Sequence, residues 1–260
     1  MAESFFTDGE AYEQFMGRWS RAAGEIFIDW LAVPVGQKWV DVGCGTGAFT
    51  ELVLSRCRPA TIDAIDPAED QIAFARRRPG TAPARFRVGD AQSLPYGNLE
   101  FDAATLALVV SFIPDPVKAM REVARVLKPG GIAGAYMWDF FGNGFTQHPL
   151  REAIAAMNVP LGPAVGQEKA TREALSGFFQ SAGFERIETR TIDIEVSYDS
   201  FDEYWTSQTA LPNPAVQAIR TMSEGDVTRL KDGLRERLSA PDGRIKYGAR
   251  ANAVKGRIPQ

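Results

Sequence analysis

The sequence predicts an α/β fold: a doubly wound, mostly parallel sheet with helices on both faces. Three observations carry that expectation. Apolar runs of strand length alternate with helical patterns between residues 39 and 138. A glycine-rich turn, Gly43-Cys44-Gly45-Thr46-Gly47, joins the first such run to the helix after it. The run 101–112 is almost continuously apolar, as a central parallel strand covered on both faces must be.

In chain order, Tyr12, Phe15, Trp19, Ile26 and Trp30 recur at helical spacing, and Pro34 and Gly36 stop that pattern. Trp39 to Val42 read as a short buried strand running into the glycines. A Cβ in that turn would forbid positive φ and hold the backbone away from a ligand. The helix expected over 49–56 presents its unpaired N–H groups above the loop. Residues 60–65 form a second strand ending in Asp66-Pro67, where Pro67 can start the next helix, with Ile72 and Phe74 on its buried side. Asp66 lies about twenty residues past the loop, where nucleotide-binding α/β folds place an acid for the ribose; as a helix cap it would need no ligand. A third strand over 86–91 ends in Asp90-Ala91, and 101–112 follows as the fourth.

Asp115 caps the next helix with Pro116 in its first turn, and Val117, Met120, Val123, Ala124 and Leu127 form its buried stripe. Lys128-Pro129-Gly130-Gly131 then turns the chain into a fifth strand over 132–138. Regularity lapses from 139 to 167, a length usually given to function. Beyond it come a helix over 168–182, an exposed strand over 184–198, a helical insertion over 201–239 and a final strand over 244–255.

The chain has 260 residues and a formal net charge of −4, which argues against nucleic acid as its main partner. Two cysteines, Cys44 and Cys57, make no disulfide framework, and a reducing compartment is the simpler reading. Residues 1–8 lack signal-peptide character and the apolar run 103–113 is too short for a bilayer, so a cytoplasmic protein without a membrane partner is expected. No metal-ligand spacing, G-x-S-x-G or G-x-x-x-x-G-K-[ST] pattern occurs.

The stretch Val40-Asp41-Val42-Gly43-Cys44-Gly45-Thr46-Gly47 resembles the first motif of the class I S-adenosylmethionine-dependent methyltransferases, (V/L)-(D/E)-x-G-x-G-x-G. The resemblance continues through Asp66, Asp90 and Leu127-Lys128-Pro129-Gly130-Gly131, covering about residues 10–140. It is similar to the small-molecule type, including the ubiquinone/menaquinone-biosynthesis methyltransferase group. The G-x-G-x-G spacing differs from the dinucleotide G-x-G-x-x-G.

That resemblance implies a Rossmann-like seven-stranded sheet with its last strand antiparallel. It implies S-adenosyl-L-methionine as cofactor and S-adenosyl-L-homocysteine as product. Asp41, Gly43, Cys44, Gly45 and Gly47 would form the cofactor loop, with Asp66 and Pro67 at the ribose and Asp90 and Ala91 at the adenine. Leu106 and Phe112 would wall the pocket near the sulfonium. Tyr12, Arg18 and Trp19 form either a lid over the cofactor, with an arginine for the methionyl carboxylate, or an ordinary helix packed on the sheet.

One methyltransferase domain over 1–260 is expected, with an N-terminal helical lid at 1–34 and caps at 140–167 and 200–240 over the substrate site. Phe112, Trp138, Phe140 and Trp205 are candidates to hold a small-molecule acceptor, and His148 and Asp139 are the candidate general bases. Methyl transfer to an oxygen, nitrogen, carbon or sulfur nucleophile would then proceed mainly by in-line positioning. Two other readings stand beside it: an NAD(P)-dependent oxidoreductase, although no Tyr-x-x-x-Lys pair occurs, and a catalytically silent S-adenosylmethionine-binding protein. A monomer or homodimer is expected.

Overall fold

The structure, a computed structural model, describes residues 9–142 and 144–260. A single seven-stranded sheet organises it, with strands β1 (Lys38–Val42), β2 (Thr61–Asp66), β3 (Arg85–Val88), β4 (Phe101–Ala107), β5 (Leu127–Trp138), β6 (Glu185–Tyr198) and β7 (Ile245–Arg257). Their order across the sheet is β3-β2-β1-β4-β5-β7-β6. The first five pair in parallel, and β7 runs antiparallel to both β5 and β6. The expected seven strands and antiparallel final strand are both present. The order reverses at β1, whose carboxyl end therefore opens on a crevice between diverging connections.

Helices α1 (Gly9–Leu31) and α2 (Ala48–Cys57) pack on one face, and α4 (Pro116–Val126) and α6 (Arg172–Ser181) cover the other. The first face joins Trp19, Phe27, Trp39, Phe49, Tyr136 and Tyr198 in one core. Helices α5 (His148–Ala156), α7 (Phe201–Thr209), α8 (Pro214–Arg220) and α9 (Glu224–Leu238) extend that core. A small third cluster joins Cys44, Ala64 and Phe86 to Ile72 and Ala75 of α3 (Glu69–Arg77).

Several elements differ locally from their expected form. The strand expected to start at residue 132 begins at Leu127, directly after α4, so Gly130 (φ 75°) and Gly131 lie within it. The helix expected over 168–182 is divided: a short turn, Gln167–Ala170, precedes α6, whose cap is Thr171 accepting from the Ala174 amide at 3.1 Å. Asp115 caps α4 as expected, accepting from the Lys118 amide at 3.0 Å. Among the described residues no helix is long and apolar enough to cross a membrane.

Candidate active site

The site begins where β1 meets the glycine loop. The Gly43 and Cys44 amides donate to the Ile65 carbonyl of β2 at 2.7 and 3.0 Å, stitching the loop to the neighbouring strand. Two of its glycines serve different purposes. At Gly43 (φ 75°) a Cβ would lie 2.3 Å from Val109 Cγ2, so this glycine admits the chain that leaves β4. At Gly45 (φ 51°) the nearest atom to a Cβ is Gln71 Oε1 at 3.9 Å, so this glycine presents bare backbone to open space.

That space is a cavity of about 500 Å³, within the range of small-molecule sites. Gly43, Cys44, Gly45, Asp66, Pro67 and Phe112, all candidates from the sequence, line it. Asp66 ends β2 with Oδ2 accepting from the Gly45 amide and Oδ1 from the Ala68 amide, both at 2.9 Å. It is not the cap of α3, whose N-cap residue is Ala68. Burial pushes its carboxyl pKa up, and the two amides pull it back. A carboxylate has about four lone-pair sites. Each Asp66 oxygen therefore keeps acceptor capacity toward the cavity. The Ser20 Oγ in this wall is buried without a hydrogen-bond partner, and the N-cap residue of α2, Gly47, offers no side-chain cap. Open backbone, spare acceptors and an orphaned hydroxyl fit a polar ligand of nucleoside size.

Asp41 lies beneath the loop rather than in the cavity. It is 0 % exposed, accepting from Thr50 Oγ1 at 2.7 Å and Thr105 Oγ1 at 3.3 Å, while Trp39 Nε1 donates to Thr105 Oγ1 at 3.2 Å. Burial raises its carboxyl to about 6, against the lowering effect of the two hydroxyls. Burial, together with Asp41 and Asp66, likewise holds the Cys44 thiol well above its usual range.

Helix α1 covers the loop through residues that the sequence did not single out. Thr46 Oγ1 donates to Glu13 Oε1 at 2.6 Å, and Arg78 bridges Glu13 (3.1 Å) and Glu51 (2.6 Å). Arg18 and Trp19 are turned away from the cavity. The Arg18 guanidinium pairs with Glu203 and donates to the Ser197 carbonyl at 2.5 Å; the fully buried Trp19 donates from Nε1 to Tyr198 Oη at 2.9 Å. Protein partners on β6 and α7 thus take up the polar groups of these two. The Tyr12 side chain lies outside the described residues. Leu106 is buried in the core and does not reach the cavity; its neighbours Ala107, Leu108 and Val109 do. Leu108 takes a φ of 58°, uncommon for a branched side chain and of the kind that clusters at functional sites.

A second, apolar chamber of about 120 Å³ adjoins the first. Phe112 and Leu108 line both, and Trp138, Phe140, Phe145, Met16, Gln147 and Arg151 complete much of the second wall. Three of the four acceptor candidates, Phe112, Trp138 and Phe140, thus converge. Trp205 does not: it stacks on Phe201 at 6.3 Å beneath Lys231. His148 faces an outer recess and lies 3.1 Å from Glu152. Asp139 closes a turn, accepting from the Gly142 amide at 2.9 Å, and lines neither chamber. Asp90 is exposed, and its carboxylate accepts from the Gln92 amide at 2.9 Å and from Gln92 Nε2; neither it nor Ala91 lines the cavity. Both acids bond local amides because each lies in a tight turn just past its strand, β3 ending at Val88 rather than at the expected Asp90-Ala91 and β5 at Trp138. No group of three metal-ligating side chains occurs among the described residues.

The family described as "Methyltransferase domain" matches residues 40–134, from the glycine loop into β5. The 2-phytyl-1,4-naphtoquinone methyltransferase of Thermosynechococcus vestitus is 31% identical over 180 residues, covering 63% of this chain and 79% of that protein. The chain belongs to the class I S-adenosylmethionine-dependent methyltransferases. A fatty-acid O-methyltransferase of Mycolicibacterium smegmatis is 40% identical to this chain over 96 residues, 37% of the chain and 35% of the relative. The chain spans less than half the length of several curated relatives that it matches. The fold is also that of Haemonchus contortus phosphoethanolamine N-methyltransferase 2, at TM-score 0.60 and 18% identity, over 97% of this chain and 57% of that one.

Proposed function

We propose that this chain methylates a small, largely apolar acceptor, with S-adenosylmethionine in the larger cavity and the acceptor in the apolar chamber. The observation that carries the reading is the shared wall: Leu108 and Phe112 line both spaces, so ligands in the two would meet there. Asp66 would accept the ribose hydroxyls on its spare lone pairs, while Gly43, Cys44 and Gly45 give backbone room and Ser20 a hydroxyl. When bound, the cofactor supplies a methyl group already activated on a sulfonium. What remains for the protein is alignment and exclusion of water, and orientation of this kind is worth about 7–11 kcal/mol in favourable cases.

No side chain of the shared wall is a base of ordinary strength, so positioning rather than proton abstraction carries the rate enhancement. His148 and Asp139 have no part in this reading. Segments 140–167 and 200–240 act as caps: the first supplies Phe140, Phe145, Arg151 and Val165 to the chamber, and the second supplies Leu211, Asn213 and Pro214. Calorimetry with S-adenosylhomocysteine tests the cofactor half. Binding by the wild type that disappears in a folded Gly45→Val variant supports it, and absence of heat with the wild type refutes it. Transfer of labelled methyl groups tests the acceptor half, which falls if only tRNA or protein becomes labelled.

A further inference from the structure

The apolar chamber contains a cation that an apolar ligand alone would not use. Arg151 projects from α5 into its wall and also lines the outer recess beside His148 and Glu152. One of its amines donates to the Gly162 carbonyl at 2.7 Å. A guanidinium has five N–H donors in a fixed fork, so most of its capacity is left. Glu152, the acid nearest in sequence, is engaged by His148 at 3.1 Å and by Arg237 at 3.3 Å. No ion pair of Arg151 occurs among the described residues, and burial, with no carboxylate acting against it, pushes its pKa down.

A second observation points the same way. The Trp138 indole lines the chamber and is buried, and its Nε1–H has no hydrogen-bond partner. Leaving a buried donor without an acceptor is costly, and a ligand bringing an acceptor would recover that cost.

The three spaces form a series. The cofactor cavity shares Leu108 and Phe112 with the chamber, and the chamber shares Phe140, Phe145, Arg151 and Ala164 with the recess. Arg151 therefore belongs to the side of the chamber away from the cofactor. A volume of about 120 Å³ holds one ring or a short branched chain, comparable to the benzene-sized cavities that form in protein cores.

We propose that the acceptor is a compact apolar acid: its body packs against Phe112, Trp138, Phe140 and Phe145, its anionic group sits on Arg151, and its nucleophile points to the Leu108–Phe112 wall. The inference rests on the methyl-transfer reading for the direction of the nucleophile, and its test separates the two.

The experiment is calorimetry on protein loaded with S-adenosylhomocysteine, titrated with two matched pairs, phenylacetate with phenylacetamide and hexanoate with hexanamide. Each acid should bind about ten- to a hundredfold more tightly than its amide, as a charge-assisted hydrogen bond predicts. Arg151→Met should bring the acid down to the level of the amide and leave the amide unchanged, with Arg151→Lys between them. Trp138→Leu, which alters the chamber and not the recess, should weaken both members of each pair. Equal binding of acid and amide by the wild type overturns the inference, and so does an acid preference that survives in Arg151→Met. Loss in Arg151→Met with none in Trp138→Leu would place the acid in the outer recess and also overturns it. Should Arg151→Met fail to fold, the wild-type pairs and Arg151→Lys decide. A failure of the methyl-transfer reading looks different, because S-adenosylhomocysteine itself then gives no heat.

Discussion

Replacing Asp41 by Asn should stabilise the protein at neutral pH and leave it unchanged at acid pH. The carboxyl is fully buried beneath the glycine loop, and its pKa rises from the ordinary 3.8 to about 6. In the unfolded chain the group ionises near 3.8, while the folded protein retains the proton to about 6. Between those values unfolding releases a proton, so the free energy of unfolding falls as pH rises, and it levels off above 6. At about 1.4 kcal/mol per tenfold in acidity, the rise corresponds to about 3 kcal/mol present below pH 4 and lost above pH 6. An amide at this position carries no charge to desolvate, and Thr50 and Thr105 can turn their hydroxyls to it. Urea denaturation of both proteins from pH 4 to 8 reads the difference directly, because titrations elsewhere are common to both. The gain for Asp41→Asn should grow from near zero at pH 4 to about 3 kcal/mol at pH 8, less whatever the hydroxyls lose in turning. Parallel curves, or a variant less stable by the same amount at every pH, would refute the reasoning and show that the hydroxyls fully solvate the charge.

Four further outcomes are expected. Asp66→Asn should weaken S-adenosylhomocysteine about ten- to a hundredfold in calorimetry, because it removes a charged acceptor; an unchanged Kd would remove Asp66 from the site. Glu13→Gln weakens the link among Thr46, Arg78 and α1, and should cost about 1 kcal/mol in thermal unfolding and speed cofactor release in stopped-flow. Trp205→Ala should leave the acceptor KM within about twofold of the wild type, since the ring stacks on Phe201 away from the chamber. His148→Gln should leave kcat within about twofold and its pH profile unmoved, and a lost titration limb would restore His148 as a base.

The parts of this molecule that were legible in the sequence are those set by short-range rules. Asp115-Pro116 specifies a helix start whatever lies around it, and Gly43 to Gly47 specify a turn that few other residues permit. Asp66 was legible because its distance from that turn is one helix and one strand. Glu13 was not, since its partners Thr46 and Arg78 lie 33 and 65 positions away and only the fold brings them together. Arg18 and Trp19 show the converse. The helical spacing of Trp19 with Phe15, Ile26 and Trp30 correctly predicted α1, but periodicity does not say which neighbour a side chain meets, and Arg18 and Trp19 meet Glu203 and Tyr198. Asp139 directly follows β5 and His148 opens α5, with their polar groups already engaged by Gly142 and Glu152. A position in sequence locates a strand end and leaves the direction of the side chain open.

Helix α1 touches everything that matters here, and by separate faces. Glu13 fastens it to the glycine turn, Ser20 faces the nucleoside-sized hollow, Phe15 and Met16 wall the smaller compartment, and Arg18 and Trp19 bind β6 and α7. A rod held at so many points does not lift at one end alone. On the proposed reading, exchange of spent cofactor and admission of the next acceptor would then be coupled, and a substitution that loosens either anchorage should change the traffic of both molecules together.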